Sequence, residues 1–236
     1  MKHLKYMVRN MKKKDIFRSD VLNIFCDAST RKHGKNTDIC YGAIAICKYD
    51  VLDEIYRINS NCTNNNAEIK AIRAGVLLGI RYKNQFSEIN LFSDSQISLF
   101  GIRDRIFTWT YNHNDGLIYG YEDSIKSQDV FIDILNIIVS HNIKINFYHQ
   151  KGHVKIDKFK SVLEAGHVFT ASNNIRSKLD LNLIRYISNF NNMVDTKSRS
   201  VLMSHDITKL NIVEPIKFYP LNFYNQVNQY NNIIRR

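Results

Sequence analysis

The sequence predicts an α/β fold, and three observations carry that prediction. Three short segments rich in apolar and β-branched residues follow one another between positions 21 and 58. Segments with helical spacing of apolar residues then alternate with further strand-like runs. Acidic residues mark the ends of the apolar runs, at Asp27 and Asp94.

Taken in order, residues 1–20 form a basic lead-in with seven Lys/Arg and two Asp, either a solvated arm or one that contacts phosphates. Residues 21–27 read as a short buried strand, 29–38 as a polar loop, 39–49 as a second strand, and 51–58 as a third, with a turn near Tyr49-Asp50. A helix follows, capped by Asn64 or Asn65. Its Ile69, Ile72, Val76, Leu77 and Ile80 recur at helical spacing. Ala67, Ala71 and Ala74 keep one side slim enough to lie close on a sheet. Residues 88–94 form a fourth strand, and Asp94 or Ser95 can cap a short helix after it. Residues 101–128 read as irregular and aromatic, with Trp109, Tyr111, Tyr119 and Tyr121 expected to pack. A helix at 129–140 turns Phe131, Ile132, Leu135 and Ile138 inward, and 144–149 is a fifth strand. A short helix at 179–187 and another at 188–203 complete the order, which opens β-β-β-α-β-α-α-β with no internal repeat.

Composition narrows the function. The chain has 236 residues, enough for one large domain, and its two Pro and nine Gly argue against long flexible linkers. A net charge of +11 favours a polyanionic partner. No run of about 18 apolar residues exists, so a membrane span is not expected. The start, Met1-Lys2-His3-Leu4-Lys5, lacks the apolar core of a signal peptide. Cys26, Cys40, Cys47 and Cys62 form no CxxC pair, so they read as reduced, mostly buried thiols in a reducing, cytoplasmic compartment rather than as a zinc site.

Carboxylates gathered on a basic chain point to divalent cations and phosphate chemistry. Asp27 and Asp94 end apolar strands, where a charge is unfavourable unless something neutralises it. Glu68 opens a helix, and Asp195 follows Asn191-Asn192-Met193-Val194.

Asp27-Ala28-Ser29 ends the first strand, Tyr41-Gly42-Ala43 lies in the second, and Thr63-Asn64-Asn65 precedes Glu68. Ser93-Asp94-Ser95-Gln96 ends the fourth strand, and Lys151-Gly152-His153 follows the fifth. These local words, in this order, resemble those of type 1 ribonucleases H. The resemblance covers about residues 21–153 and resumes near 188–203. It implies a five-stranded mixed sheet flanked by helices over 21–203. To this the chain adds the basic arm 1–20, an insert at about 154–190 and an extension at 204–236.

By resemblance, Asp27, Glu68, Asp94 and Asp195 hold two Mg²⁺ ions, with Mn²⁺ as a substitute, and no small-molecule cofactor is needed. Asp27 would bridge the ions, with Glu68 and Asp94 on the nucleophile side and Asp195 on the leaving-group side. His153 would assist proton transfer or product departure from a loop above them, whereas His149 reads as structural. The implied substrate is an RNA–DNA hybrid, whose RNA strand is cut to 5′-phosphate and 3′-hydroxyl ends; no protein partner is implied. Asn64, Asn65 and Gln96 match groove-contacting positions, Ser29 and Thr63 can hold a backbone phosphate, and Lys151 is a phosphate partner.

Three departures stand out. Asp195 follows His153 by 42 positions, far more than in the family, and Asp157, Glu164 and Asp180 lie between as rival ligands. Asn191 four positions before and Ser198 three after favour Asp195. The family's basic handle falls at 101–128, where Arg103, Arg105 and Lys126 are offset by Asp104, Asp115, Glu122 and Asp123. Positive charge lies instead in the lead-in and in Lys151, Lys155, Lys158, Lys160, Arg176, Lys178 and Arg185, so the substrate grip is expected there. The strip Phe218, Tyr219, Leu221, Phe223 and Tyr224 around Pro220 is expected to pack on the core, with partner docking as the sharper alternative. Two other functions stay open: another nuclease of the same fold, such as a junction resolvase or transposase-like enzyme, or a binding module without catalysis.

Overall fold

A computed structural model describes residues 17–33, 36–60, 62–121, 123–150, 152, 181–204 and 223–234. Its main sheet has five strands, in the order 50–60, 36–47, 21–33, 88–93 and 146–149 across the sheet. Strands β1 (Val21–His33), β2 (Asn36–Cys47) and β3 (Asp50–Ser60) form an antiparallel meander. Strands β4 (Glu88–Ser93) and β7 (Asn146–His149) join it in parallel, so the sheet is mixed, as expected.

Period-two alternation divides the core between the two faces of the sheet. Leu22, Ile24 and Cys26 of β1 join Tyr41, Ala43 and Ala45 of β2 on one face. Helices α1 (Asn64–Tyr82), α2 (Gln96–Arg103) and α3 (Gln128–His141) cover that face. Phe25, Cys40, Ile44 and Phe92 line the other face under α4 (Leu181–Ser204). No described helix is long and apolar enough to cross a membrane.

Helix α1 sits close to the sheet because its inner side is small: Ala67, Ala71, Ala74 and Gly75 are all buried. A Cβ at Gly75 would stand 2.6 Å from Cys26 Sγ and 2.9 Å from Leu91 Cδ1. Alanine favours a helix over glycine by about 1 kcal/mol, but overpacking a core costs about 1–3 kcal/mol. Gly75→Ala is therefore expected to leave a net destabilisation of up to about 2 kcal/mol in urea unfolding. An unchanged or higher midpoint would show that α1 has room to lift. A buried ion pair, Arg73 Nε to Asp133 Oδ2 at 2.5 Å, ties α1 to α3.

Several expectations are corrected. The segment 29–38 is mostly strand rather than loop: Ser29 pairs with Cys40, Arg31 with Asp38 and His33 with Asn36. Its polar side chains suggested a loop, but β2 supplies the backbone with hydrogen-bond partners, so polarity does not prevent a strand. The helices expected at 179–187 and 188–203 are one, α4, which runs through the expected insert boundary at 190. Leu183, Tyr186, Ile187, Phe190 and Val194 continue one apolar stripe, and no Gly or Pro interrupts it.

The aromatic region is also more ordered than expected. It holds a 3₁₀ turn (Arg105–Thr108) and a hairpin of β5 (Thr110–Asn112) and β6 (Leu117–Tyr119). Asn112 and Asp115 accept backbone N–H bonds from Asn114 and Leu117, each at 2.9 Å, and Gly116 takes the positive φ that closes the loop. Trp109 packs edge-on against Phe131, as expected, whereas Tyr121 is 98% exposed.

Of the C-terminal extension, 205–222 lie outside the described residues, with Phe218, Tyr219, Pro220 and Leu221 of the strip among them, as do 1–16 of the lead-in and 153–180 of the insert. Helix α5 (Phe223–Ile234) packs on α3 through buried Phe223, Tyr230 and Ile233. The Tyr230 hydroxyl donates to the Ile102 carbonyl at 2.9 Å. Packing therefore holds for this part of the extension.

Candidate active site

The register between β1 and β4 creates the site. Their last parallel pair is Cys26 with Ser93, so the next residues, Asp27 and Asp94, emerge side by side where the two strands part. Glu68 reaches the same place from α1, whose start is fixed by Thr63: its Oγ1 accepts the Asn66 N–H at 3.2 Å. Thr63, rather than Asn64 or Asn65, is thus the cap. Ligand oxygens of Asp27, Glu68 and Asp94 lie within 4.8 Å of one another.

Asp195 faces this trio from α4 and lines the same groove. Ser29 Oγ donates to Asp195 Oδ1 at 3.1 Å, and Arg199 Nη2 donates to its Oδ2 at 2.6 Å. A helix presents residues i and i+4 on one face, which is why Arg199 reaches Asp195. Both Arg199 and Arg31, which also lines the groove, escaped the sequence reading. Spacing from Asp195 would have found the first; a correct strand assignment for 29–33 would have found the second.

The electrostatics are strained in a way that suits a cation. Burial, followed by the charge of Asp94, pushes the Asp27 carboxyl up to about 8, against the pull of the Ala28 N–H that donates to it at 2.7 Å. Burial and the charges of Asp27, Asp94 and Asp195 push Glu68 up to about 9. Among the described residues, Glu68 Oε2 is buried with no hydrogen-bond partner. A buried carboxylate oxygen left this way calls for a proton or a metal. Hard oxygen donors gathered here fit Mg²⁺ or Mn²⁺.

The remaining expected residues fall as follows. Asn64 lines the groove and is exposed; Thr63, Asn65 and Gln96 are exposed but outside its lining. Ser29 is buried and its hydroxyl is engaged by Asp195. His149 is buried and donates through Nε2 to the Asp94 carbonyl at 3.1 Å, and desolvation lowers its pKa, so it braces the strand end carrying Asp94. Lys151 and His153 lie outside the described residues, as do the rivals Asp157, Glu164 and Asp180. Gly152 abuts Asp94 so closely that a Cβ there would collide with its carboxylate.

A model of the RNase H family matches residues 19–159. The chain belongs to the RNase H family. RNase H is a family of nucleases that act on RNA–DNA hybrids, and in this member the family match ends before Asp195, whose position rests on α4. Among solved structures, LC11-RNase H1 in complex with an RNA/DNA hybrid has a TM-score of 0.41 at 16% identity, over 55% of this chain and 85% of its own. RNase H1 from the halophilic archaeon Halobacterium salinarum has 0.39 at 16%, over 56% and 86%. The PFV RNase H domain has 0.45 at 15%, over 73% and 94%. No curated protein sequence matches the chain.

Proposed function

We propose that this RNase H is a divalent-metal-dependent endonuclease that hydrolyses the RNA strand of an RNA–DNA hybrid, leaving 5′-phosphate and 3′-hydroxyl ends. The carrying observation is the carboxylate trio within 4.8 Å, with one Glu68 oxygen buried and unpartnered, in a chain of this family. Asp27, Glu68 and Asp94 would hold the ions from one side and Asp195 from the other. Divalent ions held there would supply an activated water and offset the charge developing on the leaving oxygen.

The protein's own part is positional. The Ala28 N–H and the Ser29 hydroxyl fix the Asp27 and Asp195 carboxylates, so their oxygens need no reorientation. Gly152 packs directly against Asp94, where a side chain would displace the carboxylate. Asn64, exposed on the groove wall, is suited to hydrogen-bond the shallow minor groove of a hybrid. His153 is assigned proton transfer, and Lys151 a phosphate contact.

A Mg²⁺-dependent assay with an RNA–DNA hybrid, duplex DNA, duplex RNA and branched DNA tests this reading. Selective cutting of the RNA in the hybrid is expected. Cutting of branched DNA instead would make the chain a resolvase-like nuclease, and tight binding without cutting would make it a binding module. Within the active enzyme, Asp195→Asn is expected to lower turnover on the order of 10²-fold, the loss typical of removing one preorganised transition-state contact. Full activity in that variant, with loss in Asp157→Asn, Glu164→Gln or Asp180→Asn, would move the fourth ligand into the insert.

A further inference from the structure

The carboxylate groove has a cationic wall as well as an acidic floor. Arg31 and Arg199 both line it, beside Thr30 and Met203. Arg31 lies four residues beyond Asp27 on β1, hence on the same face of the strand. At about 3.3 Å per residue it lies roughly 13 Å from Asp27 along the strand. Arg199 lies one helical turn beyond Asp195. Each arginine therefore lies four residues past an acid, and both line the same groove.

Four other arginines are committed to ion pairs. Arg73 is paired with Asp133, Arg81 with Asp53, Arg103 with Asp104 and Arg18 with Asp20. Arg31 is half-buried and, among the described residues, has no hydrogen-bond or ion-pair partner. Arg199 spends one nitrogen on Asp195, yet its side chain is 57% exposed and a guanidinium carries five N–H donors. A half-buried guanidinium facing a groove is matched by an anion that enters it, and arginine suits phosphate because its fork meets two oxygens at once.

We propose that Arg31 and Arg199 form a clamp for a backbone phosphate of the substrate strand, next to the phosphate being cut. The inference rests on the hybrid reading above. The clamp gives the β1–β2 hairpin the gripping role that the 101–128 region, with Arg103 tied to Asp104, does not fill. The misread segment 29–33 is then the element that brings a cation to the strand.

The test measures binding of a labelled RNA–DNA hybrid by fluorescence anisotropy in EDTA, across a salt series, so that no cutting occurs. Arg31→Gln is expected to weaken binding several-fold and to reduce the slope of log affinity against log salt by about 0.9, the share of one phosphate. Arg31→Lys should recover the slope but not the full affinity, because lysine keeps the charge without the fork. Arg105→Gln, on the exposed 3₁₀ turn, should leave both unchanged. A wild-type slope in Arg31→Gln overturns the clamp. Should that variant fail to fold, Arg199→Gln decides: the same loss of slope supports the clamp and no loss overturns it. Absence of salt-dependent hybrid binding by the unaltered chain would instead overturn the hybrid reading itself.

Discussion

Asp27→Asn is expected to abolish cleavage of the hybrid while leaving the chain folded and able to bind it. Asp27 stands at the point where β1 and β4 part, within reach of both Glu68 and Asp94, and faces Asp195 across the groove. Its removal takes a full negative charge from the centre of the cluster, so the loss should be at least on the order of 10³-fold, beyond that of a single neutral transition-state contact. Asparagine has nearly the same shape and can keep the bond from the Ala28 N–H through its carbonyl oxygen. Burial disfavours the charged form of Asp27, so the neutral amide should not destabilise the metal-free fold. Single-turnover cleavage at saturating Mg²⁺, beside a melting curve and hybrid anisotropy, separates these effects. Near-normal turnover in the folded variant would sink the active-site assignment.

The second large effect is on stability against pH. Asp27 and Glu68 have folded-state values raised to about 8 and about 9, whereas an unfolded carboxyl titrates near 4. Between these limits the folded chain holds protons that the unfolded chain has released. Stability from this source is therefore complete below about pH 4 and falls as pH rises toward 9. Each group contributes up to about 1.4 kcal/mol per pH unit, reduced by relaxation around the site, so a loss of several kcal/mol is expected. For a chain of this size the midpoint of thermal unfolding should drop by about 10 °C between pH 5 and pH 9 without metal. Saturating Mg²⁺ should abolish most of that drop by replacing the protons. Glu68→Gln should reduce it in the metal-free protein. Asp20, which Arg18 and Ser87 pull down to about 2, has the opposite sign and acts only in acid, outside this window. A flat midpoint from pH 5 to 9 would show that the carboxylates are not crowded.

Both predictions use acids that the sequence makes visible one at a time. Asp27 follows the run Leu22–Cys26 and Asp94 follows Leu91, Phe92 and Ser93, so each can be placed at the end of an apolar run from its own neighbours, although β1 itself continues to His33. Glu68 can be placed near a helix start by Thr63, although the neighbours Asn64 and Asn65 compete for the capping role and only the Thr63–Asn66 bond decides it. The hairpin at 29–40 was hidden for a definite reason. Polar residues read locally as a loop, while the hydrogen bonds that make them a strand come from the partner strand.

The chain's local chemistry determines most of the strand and helix order and the two-faced sheet, offers the acids that could hold a cation, and favours a polyanionic partner. All are encoded in side-chain alternation, helical spacing and charge, which act between near neighbours. Tertiary structure alone decides the rest. The parallel register of Cys26 with Ser93 sets Asp27 against Asp94. The unbroken run of α4 brings Asp195 to Ser29, 166 positions away in the chain. The same packing leaves Arg31 on the groove wall without an ion-pair partner among the described residues. Such pairings depend on how whole elements bury their apolar faces together, and no residue's immediate neighbours carry that information.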